Sequence, residues 1–262
     1  MMKTIEHIIK QPEKRAHETP LLFQHGAWHG AWCWELWLDY FASLGYEVHA
    51  ISLPGHGKSS MNKAHINFYT LKDYVDTLAG EVEKISPKPV VIGHSMGGAI
   101  VQRYLETHQL PGAVLLATLP SAGMLPMTIR LLRQYPLPSL KSILTMNLYE
   151  SVKTPELAKK LFLNLETGID VVAFHKQLVR ESYGPQRLMF PLTKVNTEKS
   201  PVLVIAAGQD AFFTLDEERK TAKKYGAKIF VIEGQAHNLM MESAWKKTAD
   251  VVKGWLRELN LP

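Results

Sequence analysis

The chain has one cysteine, Cys33, among its 262 residues, so no disulfide can close within it. It has no apolar run long enough for a membrane span or a signal peptide. The opening stretch, "MMKTIEHIIK", is broken by Lys3, Glu6 and Lys10. A cytoplasmic protein without an integral membrane segment is the expectation. Runs of five or six basic residues are also missing, although the formal charge is +5 and the pI about 9.1. A mild basic excess without clustering describes a solvated surface and argues against a nucleic-acid partner. No G-x-G-x-x-G motif and no phosphate-binding lysine loop occurs, so a nucleotide cofactor has no support. Internal repeats and low-complexity tracts are absent, and nothing in the composition speaks for any particular oligomeric state.

What is present is a regular alternation. Leu21 to Phe23, Val48 to Ile51, Val90 to Ile92, Ala113 to Leu116, Val202 to Ile205 and Ile229 to Ile232 are short, nearly continuous apolar runs. Between them, apolar residues recur at helical spacing. Trp34, Trp37, Leu38 and Phe41 make one such stripe, Leu71, Val75, Leu78, Val82 and Ile85 a second, and Trp245, Ala249, Val252, Leu256 and Leu259 a third. Apolar strands separated by amphipathic helices predict an α/β fold: a mostly parallel central sheet with helices on both faces. From Pro120 to Val195 the alternation stops and prolines separate short helical pieces such as 156–165. A structureless loop of that length is implausible, so a helical cap over 121–195 is expected, inserted into a core made of 1–120 and 196–262.

Between the strand ending at Ile92 and the helical run beginning at Ala99 lies Gly93-His94-Ser95-Met96-Gly97. This is G-x-S-x-G in the strand–turn–helix setting that lifts a serine hydroxyl above a sheet, with glycines where side chains would collide. A serine is a weak nucleophile and needs a base oriented by a third group. Asp210 and His237 both follow strand ends, in the order acid then histidine, and are the predicted partners of Ser95. Helix capping is the competing role for Asp210, and Glu233 is the substitute acid.

"QHGAWHGAWCW", residues 24–34, follows the first strand. Its glycines let the backbone turn amides toward a developing oxyanion. The donors assigned are the amides of Met96 and Ala27, with Trp28 as the alternative to Ala27. Trp34 and Trp37 fit the buried stripe of the next helix, whereas Trp28 and Trp32 fall outside it and either wall a substrate pocket or pack beneath the loop. The first half of the insertion is rich in leucine and thioether side chains. Met124, Met127 and Met146 are read as lining an adaptable acyl pocket, with packing of cap onto core as the plainer role. The histidines at 25, 29, 56 and 94 invite a metal, but none combines a ligand spacing with a neighbouring carboxylate, and neither metal nor cofactor is expected.

Taken together, the His-Gly loop at 25–26, "SLPGHGKSS" at 52–60, "GHSMGGA" at 93–99, "GQD" at 208–210 and "GQAH" at 234–237 resemble the capped serine hydrolases of the α/β-hydrolase fold. The elbow is similar to that of monoacylglycerol lipases and lysophospholipases, the 25–32 loop to that of plant methylesterases and hydroxynitrile lyases. The resemblance implies hydrolysis of a small-molecule carboxylic ester of an apolar or medium-chain acyl group, through Ser95, His237 and Asp210. C–C bond hydrolysis or lyase chemistry on the same triad is the alternative, and a low-turnover receptor for a small molecule is the reading from another class. Ser52 stands where the family commonly carries an acid, so the part played by that acid is expected to be missing.

Overall fold

The computed structural model describes residues 4–184 and 200–261. Seven strands form one sheet in the order β1-β3-β2-β4-β5-β6-β7. They are β1 (His7–Lys10), β2 (Leu21–Gln24), β3 (Val48–Ile51), β4 (Val90–His94), β5 (Ala113–Leu116), β6 (Val202–Ala207) and β7 (Lys228–Ile232). Every pairing is parallel except β1 with β3.

Because side chains alternate across a strand, the central strands feed two cores. Leu21, Phe23, Val90, Ile92, Leu203 and Ile205 point to the face covered by α1 (Glu35–Ser43) and α9 (Trp245–Glu258). Leu22, Val91, Leu115 and Val204 point to the face covered by α2 (Leu71–Val82), α3 (Met96–Tyr104) and α8 (Leu215–Lys224). Trp34 and Trp37 are fully buried in the first core and stack around Phe23. Between β5 and β6 stand α4 (Leu125–Gln134), α5 (Pro136–Thr145), α6 (Pro155–Phe162) and α7 (Val171–Gln177). Prolines at the first turns of α4, α5 and α6 start these helices without costing a hydrogen bond. The expected end of the insertion at 195 lies outside the described residues.

Strand β1 is not visible in the hydrophobic pattern. Its four residues, HIIK, are half-buried or exposed at a sheet edge, and its partner lies about forty residues away in sequence. This strand corrects the reading of Ser52. A carboxylate stands beside Ser52 after all, supplied by Glu6 just before β1. Glu6 Oε2 accepts from Ser52 Oγ at 2.6 Å and from the Lys58 N–H at 2.9 Å, and Ser52 Oγ accepts from the Ala31 N–H at 2.8 Å. The turn at Gly57 (φ 51°) is so close that a Cβ there would stand 2.2 Å from the Glu6 carboxylate.

Glu6→Ala should therefore destabilise the fold by about 1–3 kcal/mol, because it leaves the Ser52 hydroxyl and the Lys58 amide without their acceptor. That corresponds to a fall in Tm of roughly 2–4 °C per kcal/mol for a domain of this size. Glu6→Gln keeps an acceptor oxygen and should recover most of the loss. Melting curves of the two variants that coincide would show that the carboxylate has no such part.

Candidate active site

Ser95 sits between β4 and α3 at φ 55°, ψ −120°, a conformation that costs a non-glycine residue strain energy. The turn is held from both sides, with the Ser95 N–H donating to Leu116 O at 3.0 Å and Ser95 O accepting from the Leu119 N–H at 3.1 Å. The glycines around it are obligatory for distinct reasons. A Cβ on Gly93 would lie 2.6 Å from Gly97 O, whereas one on Gly97 would lie 2.5 Å from the carbonyls of Gln24 and His25. The elbow and the loop after β2 are thus in backbone contact.

That loop explains its own two His-Gly pairs. His25 donates from Nδ1 to Gly26 O at 2.7 Å and accepts at Nε2 from the Leu53 N–H at 2.9 Å. His29 donates from Nδ1 to Ala27 O at 2.7 Å, and its Nε2 faces the Asn238 amide at 3.1 Å. Two successive carbonyls are therefore pinned by two imidazoles. Both rings must be neutral to play donor on one side and acceptor on the other. Burial secures this: it pushes His25 well below its ordinary value and His29 down to about 3. The Ala27 and Met96 N–H groups have no acceptor among the described residues and border the same cavity as Ser95. The Trp28 N–H, the alternative donor, is instead directed at Glu181 Oε2, 3.3 Å away.

Asp210 and His237 meet. His237 Nδ1 donates to Asp210 Oδ2 at 2.8 Å, with both side chains almost wholly buried. Asp210 Oδ1 accepts from the amides of Phe212 and Phe213 at 2.7 and 3.1 Å. The cap of α8 is Thr214, paired with Glu217, so Asp210 is free of that duty. Glu233 is exposed and lies near Gly208, away from the imidazole. With Nδ1 committed, Nε2 of His237 is the acceptor face. It is buried and has no hydrogen-bond partner among the described residues, Ser95 Oγ included. Behind it, His94 donates from Nε2 to His237 O at 3.1 Å, and burial followed by the nearby imidazoles keeps that ring neutral. Glu218 of α8 is buried close by, its carboxyl pushed well above the usual range by burial and by the charge of Asp210.

The cavity above Ser95 holds about 950 Å³, open mouth included, and Trp28, Met124, Met127, Leu131, Phe212 and Phe213 are among its mostly apolar lining. Met146 does not join them. It ends α5 in a left-handed conformation that turns it outward, is 58% exposed, and borders a separate surface hollow with His65 and Arg180. Trp32 is also absent from the cavity wall, packing on His29 and Phe174 under the loop. Phe212 and Phe213, two and three residues after "GQD", pack against the His237 ring at a tilt and edge-on, a contact that the sequence pattern does not mark.

Glu181 was the largest omission. It is 2% exposed and accepts from the Trp28 amide, from His56 Nε2 and Tyr74 OH, each at 2.9 Å, and from the Ser182 amide at 2.7 Å. No local signal marks it, since Trp28, His56 and Tyr74 all lie more than a hundred residues away. Among the described residues no three His, Cys, Asp or Glu side chains gather so as to hold a metal ion. Among the described residues no helix is long and apolar enough to cross a membrane.

The sequence model of the alpha/beta hydrolase family matches residues 21–251. Methyl jasmonate esterase 1 of Vitis vinifera is 31% identical over 114 residues, 43% of this chain and 41% of that protein. Putative methylesterase 15, chloroplastic, of Arabidopsis thaliana is 33% identical over 103 residues, 38% of this chain and 22% of that protein. The aligned stretches span less than half the length of either relative. Among solved structures, an esterase from Exiguobacterium antarcticum superposes with a TM-score of 0.73 at 14% identity, covering 97% of this chain and 96% of its own.

The buried His56–Glu181 pair gives a pH dependence with a definite sign. Both ring nitrogens of His56 face acceptors, Pro54 O at 3.1 Å and the carboxylate, so the imidazolium is the form that fits. Burial works against that charge, but the attraction and hydrogen bond of Glu181 outweigh it and raise the ring above its ordinary value. A raised value means stability present in full below the unfolded histidine's value of about 6.5 and lost as pH climbs through the folded one. His25, whose ring is 5.1 Å away, is neutral, and Tyr74 also faces the pair. Denaturant titrations should therefore find wild type and His56→Gln furthest apart below about pH 6.5 and converging as pH climbs through the folded-state value. A constant gap would mean that His56 is not the cation.

Proposed function

The chain belongs to the alpha/beta hydrolase family, and from that premise we propose that it is a carboxylic ester hydrolase working through Ser95, His237 and Asp210. The observation that carries this reading is a strained serine opening into an apolar cavity beside a buried His–Asp pair whose second imidazole nitrogen is unoccupied. Ser95 Oγ attacks the ester carbonyl while its proton passes to His237 Nε2. The tetrahedral oxygen is received by the Ala27 and Met96 amides, which nothing else occupies. The intermediate collapses, the C–O bond to the alcohol breaks, and His237 returns the proton to the leaving oxygen. Water then repeats the sequence on the acyl-serine, with Asp210 holding the imidazole throughout. The methylesterase and esterase relatives support the ester as the scissile group. The helices of the insertion are read as a cap whose inner residues receive the acyl chain.

Ser95→Ala should abolish labelling by a fluorophosphonate probe and turnover of p-nitrophenyl esters without lowering Tm, since the turn's strain serves chemistry. Asp210→Asn should lose several orders of magnitude, as about 10⁴ is lost for the same change in the serine protease triad. Labelling that survives Ser95→Ala would assign the chemistry elsewhere. A Glu233→Gln enzyme more impaired than Asp210→Asn would move the acid.

An acyl chain lying against Met124 and Met127 should gain up to about 0.8 kcal/mol per methylene, roughly threefold to fourfold in kcat/KM, until the cavity is full. A chain-length series should climb from acetyl and then stop. Met124→Ala and Met127→Ala should shift or flatten that climb while sparing the acetyl ester, and Met146→Ala, outside the cavity, should leave the whole profile alone. A wild type that prefers acetyl, with the two cavity variants impaired equally on all esters, contradicts the acyl-pocket assignment.

A further inference from the structure

Among the described residues Glu181 is the one carboxylate bordering the catalytic cavity, and it lies against the oxyanion loop. The chain entering it from α7 runs back over the loop after β2. The Val179 N–H donates to Trp28 O at 3.0 Å, and Glu181 Oε2 accepts the Trp28 N–H at 3.3 Å. Trp28 is thus gripped on both of its backbone groups by one short segment of the insertion. Its φ of 62° is a left-handed conformation that a bulky residue does not adopt unaided.

The consequence follows from peptide planarity. The Ala27–Trp28 peptide is fixed at its oxygen by His29 and at its N–H by Glu181. The preceding peptide, which carries the Ala27 N–H, is fixed at its oxygen by His25. With both planes set, the orientation of the free Ala27 amide is fixed, at a residue that lines the cavity. His25 and His29 belong to the core side of this arrangement; Glu181 alone comes from the insertion.

We propose that Glu181 is a positioning residue, which sets the oxyanion amide of Ala27 by holding the Trp28 N–H, so that the insertion completes the oxyanion hole as well as covering it. This rests on the ester-hydrolase reading above. Glu181 itself touches neither the reacting atoms nor the oxyanion; it acts through the Trp28 peptide. The carboxylate also occupies the Trp28 N–H, so of the two neighbouring amides at 27 and 28 it is Ala27 that is left free to donate. Tyr74 and the Ser182 amide orient the carboxylate through its other oxygen, and His56 balances its charge.

The test separates this role from the stability that the His56 pair confers. His56→Gln is the reference background, because it removes the buried cation while leaving the bond from the Trp28 N–H to Glu181 in place. Adding Glu181→Leu to it then strands no charge. Three readouts are taken on the full chain: kcat and KM on p-nitrophenyl butyrate, Tm, and hydrogen exchange of the Trp28 amide in peptides covering 25–31. His56→Gln should lower stability yet keep kcat within about twofold of wild type and keep the Trp28 amide protected. The double variant should lose about tenfold to a hundredfold in kcat with KM within about threefold, less than deletion of a whole oxyanion donor, and its Trp28 amide should exchange freely. Glu181→Gln, which retains an acceptor oxygen, should restore most of kcat. Three results each overturn the proposal: kcat in the double variant equal to that of His56→Gln, a loss confined to KM, or exchange at Trp28 that does not change. A wild-type protein that hydrolyses no ester and takes no fluorophosphonate fails the ester reading itself and, with it, the oxyanion role. That failure is told apart because it precedes any variant, and the exchange data still report the Trp28 tether.

Discussion

Two stretches of backbone, 24–27 and 93–97, approach so closely that no side chain fits between them, and the rest of the site depends on that contact. A Cβ on Gly26 would stand 2.8 Å from Ser95 Cβ, and one on Gly97 would stand 2.5 Å from two carbonyl oxygens. Only glycine permits this approach, at the cost of the extra conformational entropy lost on folding. The contact brings the free amides of Ala27 and Met96 to one cavity with the serine between them. Strands β2 and β4, neighbours in the sheet with Gln24 opposite Gly93, set the register that makes it possible.

Close backbone approach creates an electrostatic demand that the histidines meet. The carbonyls at Gly26 and Ala27 need donors, and the two imidazoles supply them. A lysine or arginine would supply a donor together with a charge beside the catalytic imidazole. A neutral imidazole supplies the donor alone and has an acceptor left for a second amide. Burial keeps His25, His29 and His94 in that state, each pushed below its ordinary value. His56, though equally buried, differs because both of its nitrogens face acceptors and one of these is a carboxylate. Four histidines of one cluster thus divide into three neutral pins and one cation. The division is made by partners rather than by depth.

The same distinction explains what could be read from sequence. Six of the seven strands and three of the helices announce themselves through local periodicity, and the elbow through the spacing of Gly93, Ser95 and Gly97. Asp210 and His237 were accessible because both follow strand ends, so topology brings them to one sheet edge. Strand β1 and Glu6 were not, since four half-exposed residues make no pattern and Ser52 is 46 positions away. Glu181 was hidden for the same reason, at 153 positions from the amide it holds. Met146 was misread because composition cannot tell which turn of a helix faces inward; its left-handed cap turns it out. The histidine pairs stand out in the sequence, where a metal is the role they invite. Their work as backbone donors depends on which carbonyls face inward, and no residue pattern carries that.

The insertion between β5 and β6 grips the site on two sides, which limits how independently it can move. On one side Val179 and Glu181 hold Trp28. On the other, Phe162 O accepts the Asn238 N–H at 3.0 Å and the Asn164 side chain accepts the Ala236 N–H at 2.6 Å, flanking His237. The Phe162 ring joins Trp28 to Phe212, at 5.7 and 5.3 Å, so the two grips share one aromatic contact. Swinging the whole insertion away would break four backbone hydrogen bonds around the oxyanion loop and the histidine loop together. Helices α4 and α5 expose apolar side chains such as Leu137 and Leu144, yet they too are tied down, Arg130 to Glu217 and Phe212 O and Ser142 to the Tyr183 hydroxyl.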